Sequence, residues 1–272
     1  MSKSKSEVFR VRPGDKFDLG KRNPGDAPLC MADKAAEHHE MEHLGAQLDA
    51  LQDVLYANQR QSLLLVLQGM DTAGKDGTVR AVFNQVNPRG VNVASFKVPT
   101  EEEKAHDFLW RVHARTPRAG EVVIFNRSHY EDVLITWVHG WIDDAERKRR
   151  IRIINEFEAA LVEQGTLIVK CMLHISPKEQ KQRLEERIAD PNKHWKFNPG
   201  DLAERKLWGR YMEAYEHALQ HTSTEAAPWW VIPSDSKMHR NLAVATLLVE
   251  QLQSLKLSYP PANPDYYKLK IT

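Results

Sequence analysis

A continuous apolar segment followed directly by a glycine-rich loop constrains the fold of this chain more than any other feature. Ser62–Gln68 reads SLLLVLQ, and its length and the glycine after it favour a strand buried on both faces. Residues 69–78 read GMDTAGKDGT, which has the G-x-x-x-x-G-K spacing of a Walker A loop. The sequence therefore predicts a phosphate-binding loop between a buried strand and a helix.

Each part of this loop suits phosphate chemistry. Small residues leave backbone N–H groups free to wrap a phosphate, and the N-terminus of the following helix adds its positive dipole. Lys75 would supply a point charge to the transferring phosphoryl group. The residues predicted to bind phosphate in this loop are Gly69, Ala73, Gly74, Lys75, Asp76 and Gly77.

Two carboxylates in the loop indicate a cation. The Ser or Thr that usually follows the lysine and holds Mg²⁺ is replaced by Asp76, and Asp71 lies inside the loop. Carboxylates beside phosphates repel them unless a cation stands between, so Asp71 is the predicted organiser of Mg²⁺, directly or through water, with Mn²⁺ as the other candidate ion. Asp76 is assigned either to the site or to capping of the helix N-terminus.

Short apolar strands alternate with amphipathic helices along the rest of the chain. This alternation predicts an α/β fold with a parallel sheet covered by helices. The predicted strands are 62–68, 91–98, 121–126, 166–175 and 229–233, and the predicted helices include 32–59, 143–164 and 237–255. We expect an N-terminal arm at 1–31, a phosphotransferase domain at 32–258 with a helical lid at about 177–221, and an irregular tail at 259–272.

The segment after the third predicted strand reads NRSHYED, beginning at Asn126. Residues just past the carboxyl ends of parallel strands line the ligand crevice. Asn126 stands where a Walker B motif would place Asp, and Arg127 is placed to clamp a phosphate. If a helix begins near Asn126, Glu131 emerges on the same side as Arg127; pairing of Glu131 with Lys193 is the alternative.

The predicted lid is rich in cations, including Arg183, Arg187, Lys193 and Lys196. Arg183 and Arg187 are i,i+4 neighbours on one helix face, and Glu179 could pair with Arg183 on a solvated surface instead. A cationic insertion that closes over the phosphate loop would exclude water and protect a phosphoryl group from hydrolysis. The segment therefore favours an anion-binding lid.

Together these segments resemble the polyphosphate kinase 2 family, from about Lys16 to Leu257. The resemblance rests on GMDTAGKDG at 69–77, FNRSHYED at 125–132, RLEERIADPNKHWK at 183–196 and IPSDSKMHRN at 232–241. It implies a three-layer α/β/α P-loop kinase fold with a helical lid. The site residues that it implies are Asp71, Lys75, Asn126, Arg127, Arg183 and Lys193.

The resemblance also implies a reaction: reversible, Mg²⁺-dependent phosphoryl transfer between inorganic polyphosphate and AMP or ADP, forming ADP or ATP. Many relatives have Asp at the position of Asn126 and Asn at that of Glu131, and the version in this chain is similar to the subgroup that accepts both nucleoside mono- and diphosphates. Other nucleotides, the oligomeric state and the preferred direction are left open.

Bulk properties limit the setting in which such an enzyme works. The formal net charge is +1, and the only cysteines, Cys30 and Cys171, lie far apart, which excludes a disulfide framework. The first 14 residues are polar, and no apolar run approaches the length of a membrane span. We expect a cytoplasmic protein with no membrane and no nucleic-acid partner.

Three other functions fit parts of the sequence less well. His39 to His43 match the H-E-x-x-H signature of zinc hydrolases, but a catalytic zinc site needs a third protein ligand and a cleft. A nucleoside or nucleotide kinase would use ATP as donor, and a nucleoside kinase, whose acceptor is a hydroxyl, would place a carboxylate base near the attacking oxygen. A non-catalytic polyanion-binding module would need neither Lys75 nor Asp71.

Overall fold

The buried apolar strand predicted from SLLLVLQ forms the centre of the sheet. In the computed structural model, which describes residues 4–14 and 16–271, all seven residues of Ser62–Gln68 are buried. The strands are β1 (Arg10–Val11), β2 (Ser62–Gln68), β3 (Val91–Ser95), β4 (Val122–Asn126), β5 (Thr166–His174) and β6 (Trp229–Pro233).

Helices connect the strands and cover the sheet. They are α1 (Lys34–Asn58), α2 (Lys75–Val82), α3 (Glu101–Ala105), α4 (Trp110–His113), α5 (Ile135–Val138), α6 (Asp144–Glu163), α7 (Pro177–Ala189), α8 (Gly200–Lys206), α9 (Trp208–Thr222) and α10 (Lys237–Ser254). Short 3₁₀ helices span Lys5–Phe9, Leu19–Lys21, His129–Asp132, Pro191–Lys196 and Pro264–Lys268. In the described part of the chain, no helix combines the length and apolarity needed to cross a membrane.

The six strands form one sheet in the order β1-β6-β5-β2-β4-β3. All neighbouring pairs are parallel except β1 and β6, which are antiparallel. The chain leaves β2 through α2 toward β3 and leaves β4 through α6 in the opposite direction. Because parallel crossovers are right-handed, these two helices cover opposite faces, which gives the expected three-layer α/β/α fold.

The antiparallel edge strand corrects the expectation of an extended N-terminal arm. Phe9, Val11, Phe17 and Leu19 are buried in the core, and Val11 pairs with Trp229 of β6. A two-residue strand in a polar segment has no measurable period, so hydrophobic patterning could not reveal it.

The predicted lid is also divided differently from the expectation. The inner face of α9 is buried with the core through Tyr211, Ala214 and Ala218, so that helix belongs to the layer that also contains α6. The segment from Asp190 to Lys206 contains no buried residue and is the exposed part of the insertion. β3 ends at Ser95 rather than at residue 98, because the chain turns there into the cleft described below.

Candidate active site

The phosphate loop occupies residues 69–74, between the end of β2 and the start of α2. Three of its residues have positive φ: Gly69 at 148°, Thr72 at 65° and Gly74 at 108°. A Cβ at Gly69 would lie 2.6 Å from the carbonyl oxygen of Leu173, and one at Gly74 would overlap the guanidinium of Arg240. These close approaches require glycine, and they let the backbone curl tightly around the N-terminus of α2.

Lys75 lies inside this loop, as predicted. Its Nζ donates to the carbonyl oxygens of Gly69, at 2.7 Å, and Met70, at 3.3 Å. Burial lowers the pKa of Lys75, while Asp71 raises it and Arg127 lowers it further. The ammonium is therefore desolvated and held at the position where it can face a phosphate bound at the helix N-terminus.

Arg127 and Asp71 form a pair at the edge of the loop, with Nη2 of the arginine 2.7 Å from Oδ1 of the aspartate. Arg127 has a positive φ of 60°, a strained conformation for a residue with a Cβ, and such strain is concentrated at functional sites. Burial opposes the charge on Arg127, but Glu131 and Asp71 outweigh it and raise the pKa above its usual value. Arg127 thus stays charged beside the phosphate loop.

Asn126 and Asp76 meet across the carboxyl ends of β4 and the first turn of α2, where the amide Nδ2 donates to Oδ1 of Asp76. Gly74 is the residue before the first helical position, so Asp76 is not the helix cap, and its side chain lines the cleft. This geometry favours the site assignment for Asp76 over the capping one.

Glu131 lies beside Arg127, Lys75 and Gln68, but not in the geometry expected from the sequence. The 3₁₀ helix starts at His129 with Ser128 as its cap, so no helix begins at Asn126. Burial raises the pKa of Glu131, although Arg127 and Lys75 lower it. The alternative pairing with Lys193 is wrong, because Lys193 contacts Asp190 at 2.9 Å.

An open cleft of about 650 Å³ runs from the phosphate loop to the exposed lid segment. Most of the predicted site residues line it: Asp71, Gly74, Lys75, Asp76, Gly77, Asn126, Arg127, Arg183, Arg187, Lys193 and Lys196. Gly69, Ala73 and Glu131 do not line the cleft. Gly69 packs against Ala73 and Leu173, and Glu131 lies close to the lining residues Arg127 and Lys75.

The cleft is strongly cationic even though the chain is nearly neutral. Its cationic residues are Lys75, Lys97, Arg127, Arg183, Arg187, Lys193, Lys196, Lys237 and Arg240, and its acidic residues are Asp71, Asp76, Glu186 and Asp201. Field lines concentrate in a cleft lined by one sign of charge, so the site attracts polyanions.

Arg183 differs from the exposed lid cation that the sequence predicted. It is buried, and its Nε donates to Glu179 at 2.7 Å. Its remaining nitrogens donate to backbone carbonyl oxygens of Thr72, Ala73, Ser234 and Asp235. Arg183 therefore ties the phosphate loop to the end of β6, and its geometry favours a positioning role.

The other lid cations are exposed or only loosely paired. The side chain of Arg187 is 25% exposed; its Nη1 lies 3.8 Å from Oδ2 of Asp201 and donates to the carbonyl oxygen of Lys196. Lys196 lies over the ring of Trp195, with 4.8 Å between Nζ and the ring centroid. Burial and the nearby Asp71 raise the pKa of Asp201 to about 6.

Five charged residues of the cleft were missed by the sequence reasoning. Lys97 follows β3, Lys237 and Arg240 follow β6, Glu186 lies on α7, and Asp201 lies in the exposed lid segment. The first three could have been found, because the carboxyl ends of all the parallel strands meet at one edge of the sheet. Nothing in the sequence distinguishes Asp201.

The H-E-x-x-H match has no metal-binding surroundings. His39 and His43 lie on α1, and His43 contacts Gln47 at 2.9 Å. Across residues 4–14 and 16–271, no group of three or more His, Cys, Asp or Glu side chains is arranged to hold a metal ion. A zinc hydrolase site therefore lacks support.

Comparison with known proteins gives a consistent result. A relative from Meiothermus ruber named "AMP/ADP-polyphosphate phosphotransferase" is 51% identical, over 97% of this chain and 98% of the relative. A relative from Rhodopseudomonas palustris named "ADP-polyphosphate phosphotransferase" is 42% identical, over 96% of this chain and 94% of that protein.

A solved structure is equally similar. The crystal structure of Polyphosphate Kinase 2 from Arthrobacter aurescens TC1 superposes with a TM-score of 0.93 at 48% identity, covering 98% of this chain and 95% of that one. The sequence model described as Polyphosphate kinase 2 (PPK2) matches residues 31–259. A phosphate loop, a cationic cleft and a fold shared over nearly the whole length have one common explanation: the chain belongs to the polyphosphate kinase 2 family.

Proposed function

We propose that this protein transfers phosphoryl groups reversibly between inorganic polyphosphate and adenine nucleotides, taking both AMP and ADP as acceptors. The observation that carries the proposal is a P-loop lysine at the end of a cleft lined by nine cationic side chains. A long polyanion needs such a track, whereas a single nucleotide does not. The two relatives named for AMP/ADP and for ADP support the choice of acceptor.

The residues of the loop account for phosphoryl transfer without a general base. A phosphate acceptor is already anionic, so catalysis rests on positioning and on neutralising charge. The N-terminus of α2 and Lys75 would hold the transferring group, and Arg127 would stabilise the charge that spreads over its oxygens. The exposed lid segment would exclude water from the reacting centre.

The cleft also fits a divalent cation. Asp71 lies at the loop, and Asp201 faces it closely enough for the charge of Asp71 to raise the pKa of Asp201. Mg²⁺ is commonly held by one or two carboxylates together with substrate phosphates and water, so the absence of a three-ligand cluster among the described residues agrees with it. Asp71 would hold Mg²⁺ or Mn²⁺, which screens the phosphates from the carboxylates and from one another.

The test is direct. Purified protein is incubated with Mg²⁺ and polyphosphate together with AMP, ADP or adenosine, and the products are resolved by anion-exchange chromatography. We expect AMP to yield ADP and ATP, ADP to yield ATP, and adenosine to yield nothing. Phosphorylation of adenosine would instead show that polyphosphate donates to a hydroxyl acceptor, and binding of polyphosphate without turnover would indicate a non-catalytic module.

A matched pair of variants completes this experiment. Lys75→Ala should abolish turnover, whereas Arg152→Ala should not, because Arg152 pairs with Glu156 on the exposed face of α6. Equal activity in wild type and Lys75→Ala would contradict the proposed site.

A further inference from the structure

Arg240 lies against the phosphate loop, in the first turn of α10. It is 3% exposed, and its guanidinium packs on Gly74, where a Cβ would overlap Nη1. A Cβ at Gly77 would also lie 3.4 Å from Nη2 of Arg240. The guanidinium therefore flanks the N-terminus of α2 on the side that lines the cleft.

The charge of Arg240 has no compensating carboxylate among the residues that the structure describes. Nη1 donates to the carbonyl oxygen of Ala73 at 3.1 Å, and Nε and Nη2 share the side-chain oxygen of Asn241. In the described residues, no Asp or Glu oxygen lies within 4.0 Å of it. Burial, together with the nearby Arg183, lowers the pKa of Arg240 to about 10.

The other buried arginines differ from Arg240 in having carboxylate partners. Arg111 contacts Glu103 and Asp132, Arg147 contacts Asp144, and Arg183 contacts Glu179. Each of these three has its counter-charge within the protein, in the part of the chain that the structure describes. Arg240 is as buried as they are, but only neutral oxygens accept its hydrogen bonds.

Physical chemistry indicates what the missing partner is. Burying a charge costs several kcal/mol unless an opposite charge and hydrogen bonds compensate for it. The open side of Arg240 is the cationic cleft, so the compensating anion would come from the solution. A guanidinium matches the geometry of phosphate oxygens, and a phosphate at the N-terminus of α2 would lie between Lys75 and Arg240.

We propose that Arg240 binds the polyphosphate chain directly, next to the N-terminus of α2, and that polyphosphate supplies the counter-charge that none of the described residues provides at this position. This inference rests on the proposed function and adds a residue to its site. Gly74 is required by its φ of 108°, and the guanidinium fills the space beside it.

The competing explanation is that Arg240 only supports the loop through its bond to Ala73, and the two explanations predict opposite changes in stability. If Arg240 awaits an anion, Arg240→Met should leave the melting temperature of the ligand-free protein unchanged or raise it. Arg111→Met is the matched control, and it should lower the melting temperature because Arg111 pairs with Glu103 and Asp132, whose side chains are only 28% and 13% exposed.

Polyphosphate binding gives the second readout. We expect Arg240→Met to weaken the affinity for polyphosphate about 10- to 100-fold, as for the loss of a charged hydrogen bond, and to reduce the thermal stabilisation by polyphosphate. The slope of log affinity against log salt should become shallower by about one unit. Arg240→Lys, which keeps the charge but not the fork geometry, should be intermediate, and AMP affinity should change less than twofold.

The outcomes separate this inference from the proposed function. A lowered melting temperature together with an unchanged affinity for polyphosphate in Arg240→Met would overturn the role of Arg240 and leave the function intact. If polyphosphate neither stabilises the wild-type protein nor supports turnover, the proposed function fails, and the role of Arg240 fails with it. Should Arg240→Met not fold, unchanged affinity in the conservative Arg240→Lys variant would overturn the inference.

Discussion

The two walls of the cleft carry the same sign of charge but are built in different ways. The loop wall, Lys75, Arg183 and Arg240, consists of buried cations that donate to backbone carbonyl oxygens of residues 69–73. The lid wall, Arg187, Lys193 and Lys196, consists of exposed or half-exposed cations whose carboxylate contacts are few. Arg183 and Arg187 are one helical turn apart on α7, yet they belong to different walls.

This contrast suggests a division of labour within a polyphosphate kinase. A reacting phosphoryl group needs cations held in fixed positions, since misplacement by about 1 Å can cost about 10²-fold in rate. A polyphosphate chain, in contrast, has many equivalent phosphates, so the cations that bind along its length gain little from a fixed position. We therefore expect substitution of Lys75 to change the rate and substitution of Arg183 to change the stability, whereas substitutions in the lid wall should change mainly the salt dependence of polyphosphate binding.

The largest effect should follow substitutions at the reacting end. Lys75→Ala and Asp71→Asn should each reduce turnover by roughly 10²-fold or more, because phosphoryl transfer depends on charge neutralisation. Asp71→Asn also removes the partner of Arg127. Steady-state rates with saturating Mg²⁺ measure this, and circular dichroism shows whether the fold is retained. Near-normal rates in either variant would contradict the assignment of the loop.

Arg183 and Arg187 provide the direct comparison of the two walls. Arg183→Met should lower the free energy of unfolding by roughly 3 kcal/mol, because it leaves buried carbonyl oxygens and Glu179 unpaired. Arg187→Met should lower it by less than about 1 kcal/mol, since its contact with Asp201 is long and partly exposed. Urea denaturation measures both. Equal losses would mean that the two walls do not differ in construction.

Sequence patterns predicted the outline of this site but not the difference between its walls. Ser62–Gln68 and Trp229–Pro233 have the predicted bounds, because a continuous apolar run that ends at glycine or proline leaves little choice of limits. The position of the loop between β2 and α2 follows the prediction, because its sequence signature lies in consecutive residues. The burial of Arg183 could not be predicted, because it depends on carbonyl oxygens of residues about 50 and 110 positions away in the chain.

The order of the strands explains the other missed residues. β6 and β2 lie on either side of β5, so α10 brings Arg240 against the loop from a segment more than 160 residues later. Local patterns contain no signal for such a contact. The sequence therefore predicted that one segment, the lid, carries the cations of the cleft. In the structure these cations come from α7, the exposed lid segment, α10 and the residues after β3.

The pH dependence of polyphosphate affinity can show whether Asp201, in the exposed lid segment, faces the phosphate loop across the cleft. Its raised pKa of about 6 means that it is ionised at pH 7 and gains a proton as the pH falls through 6, which removes a negative charge from the cleft. Without Mg²⁺, the affinity of the wild-type protein for polyphosphate should therefore rise as the pH falls from 7 to 5. The rise should be several-fold larger than in Asp201→Asn, because removing one negative charge changes the free energy of binding by about 1 kcal/mol. If polyphosphate affinity depends on pH in the same way in wild type and Asp201→Asn, Asp201 does not face the bound polyphosphate.

Salt dependence should show the smaller contributions of the lid lysines. Lys193→Ala and Lys196→Ala should each flatten the slope of log polyphosphate affinity against log salt by at most about one unit, with little change in the turnover number. Lys181→Ala is the control on the outer face of α7, where Lys181 pairs loosely with Glu185. A drop in turnover number without a change in slope would mean that the lid lysines act on the reaction itself.

The smallest effect concerns the choice of nucleotide and depends on Glu131. The negative charge of Glu131 offsets part of the positive charge of Arg127 and Lys75. Arg127 and Lys75 lower the pKa of Glu131, and Glu131 in turn raises the pKa of Arg127. A diphosphate carries more negative charge than a monophosphate, so a more positive site should favour ADP over AMP. Glu131→Gln should therefore lower the ratio of AMP to ADP phosphorylation about fivefold, which corresponds to roughly 1 kcal/mol.

The measurement compares kcat/KM for AMP and ADP at one polyphosphate concentration, in wild type, Glu131→Gln and Glu131→Asp. Glu131→Asp keeps the charge, so it should retain the wild-type ratio even if its rates fall through a shift of Arg127. Equal losses on both nucleotides in Glu131→Gln would mean that Glu131 acts only by holding Arg127 in place, and unchanged rates would remove Glu131 from the site. A lowered ratio would instead show that the half-buried carboxylate of Glu131 sets how much positive charge Arg127 presents to the nucleotide.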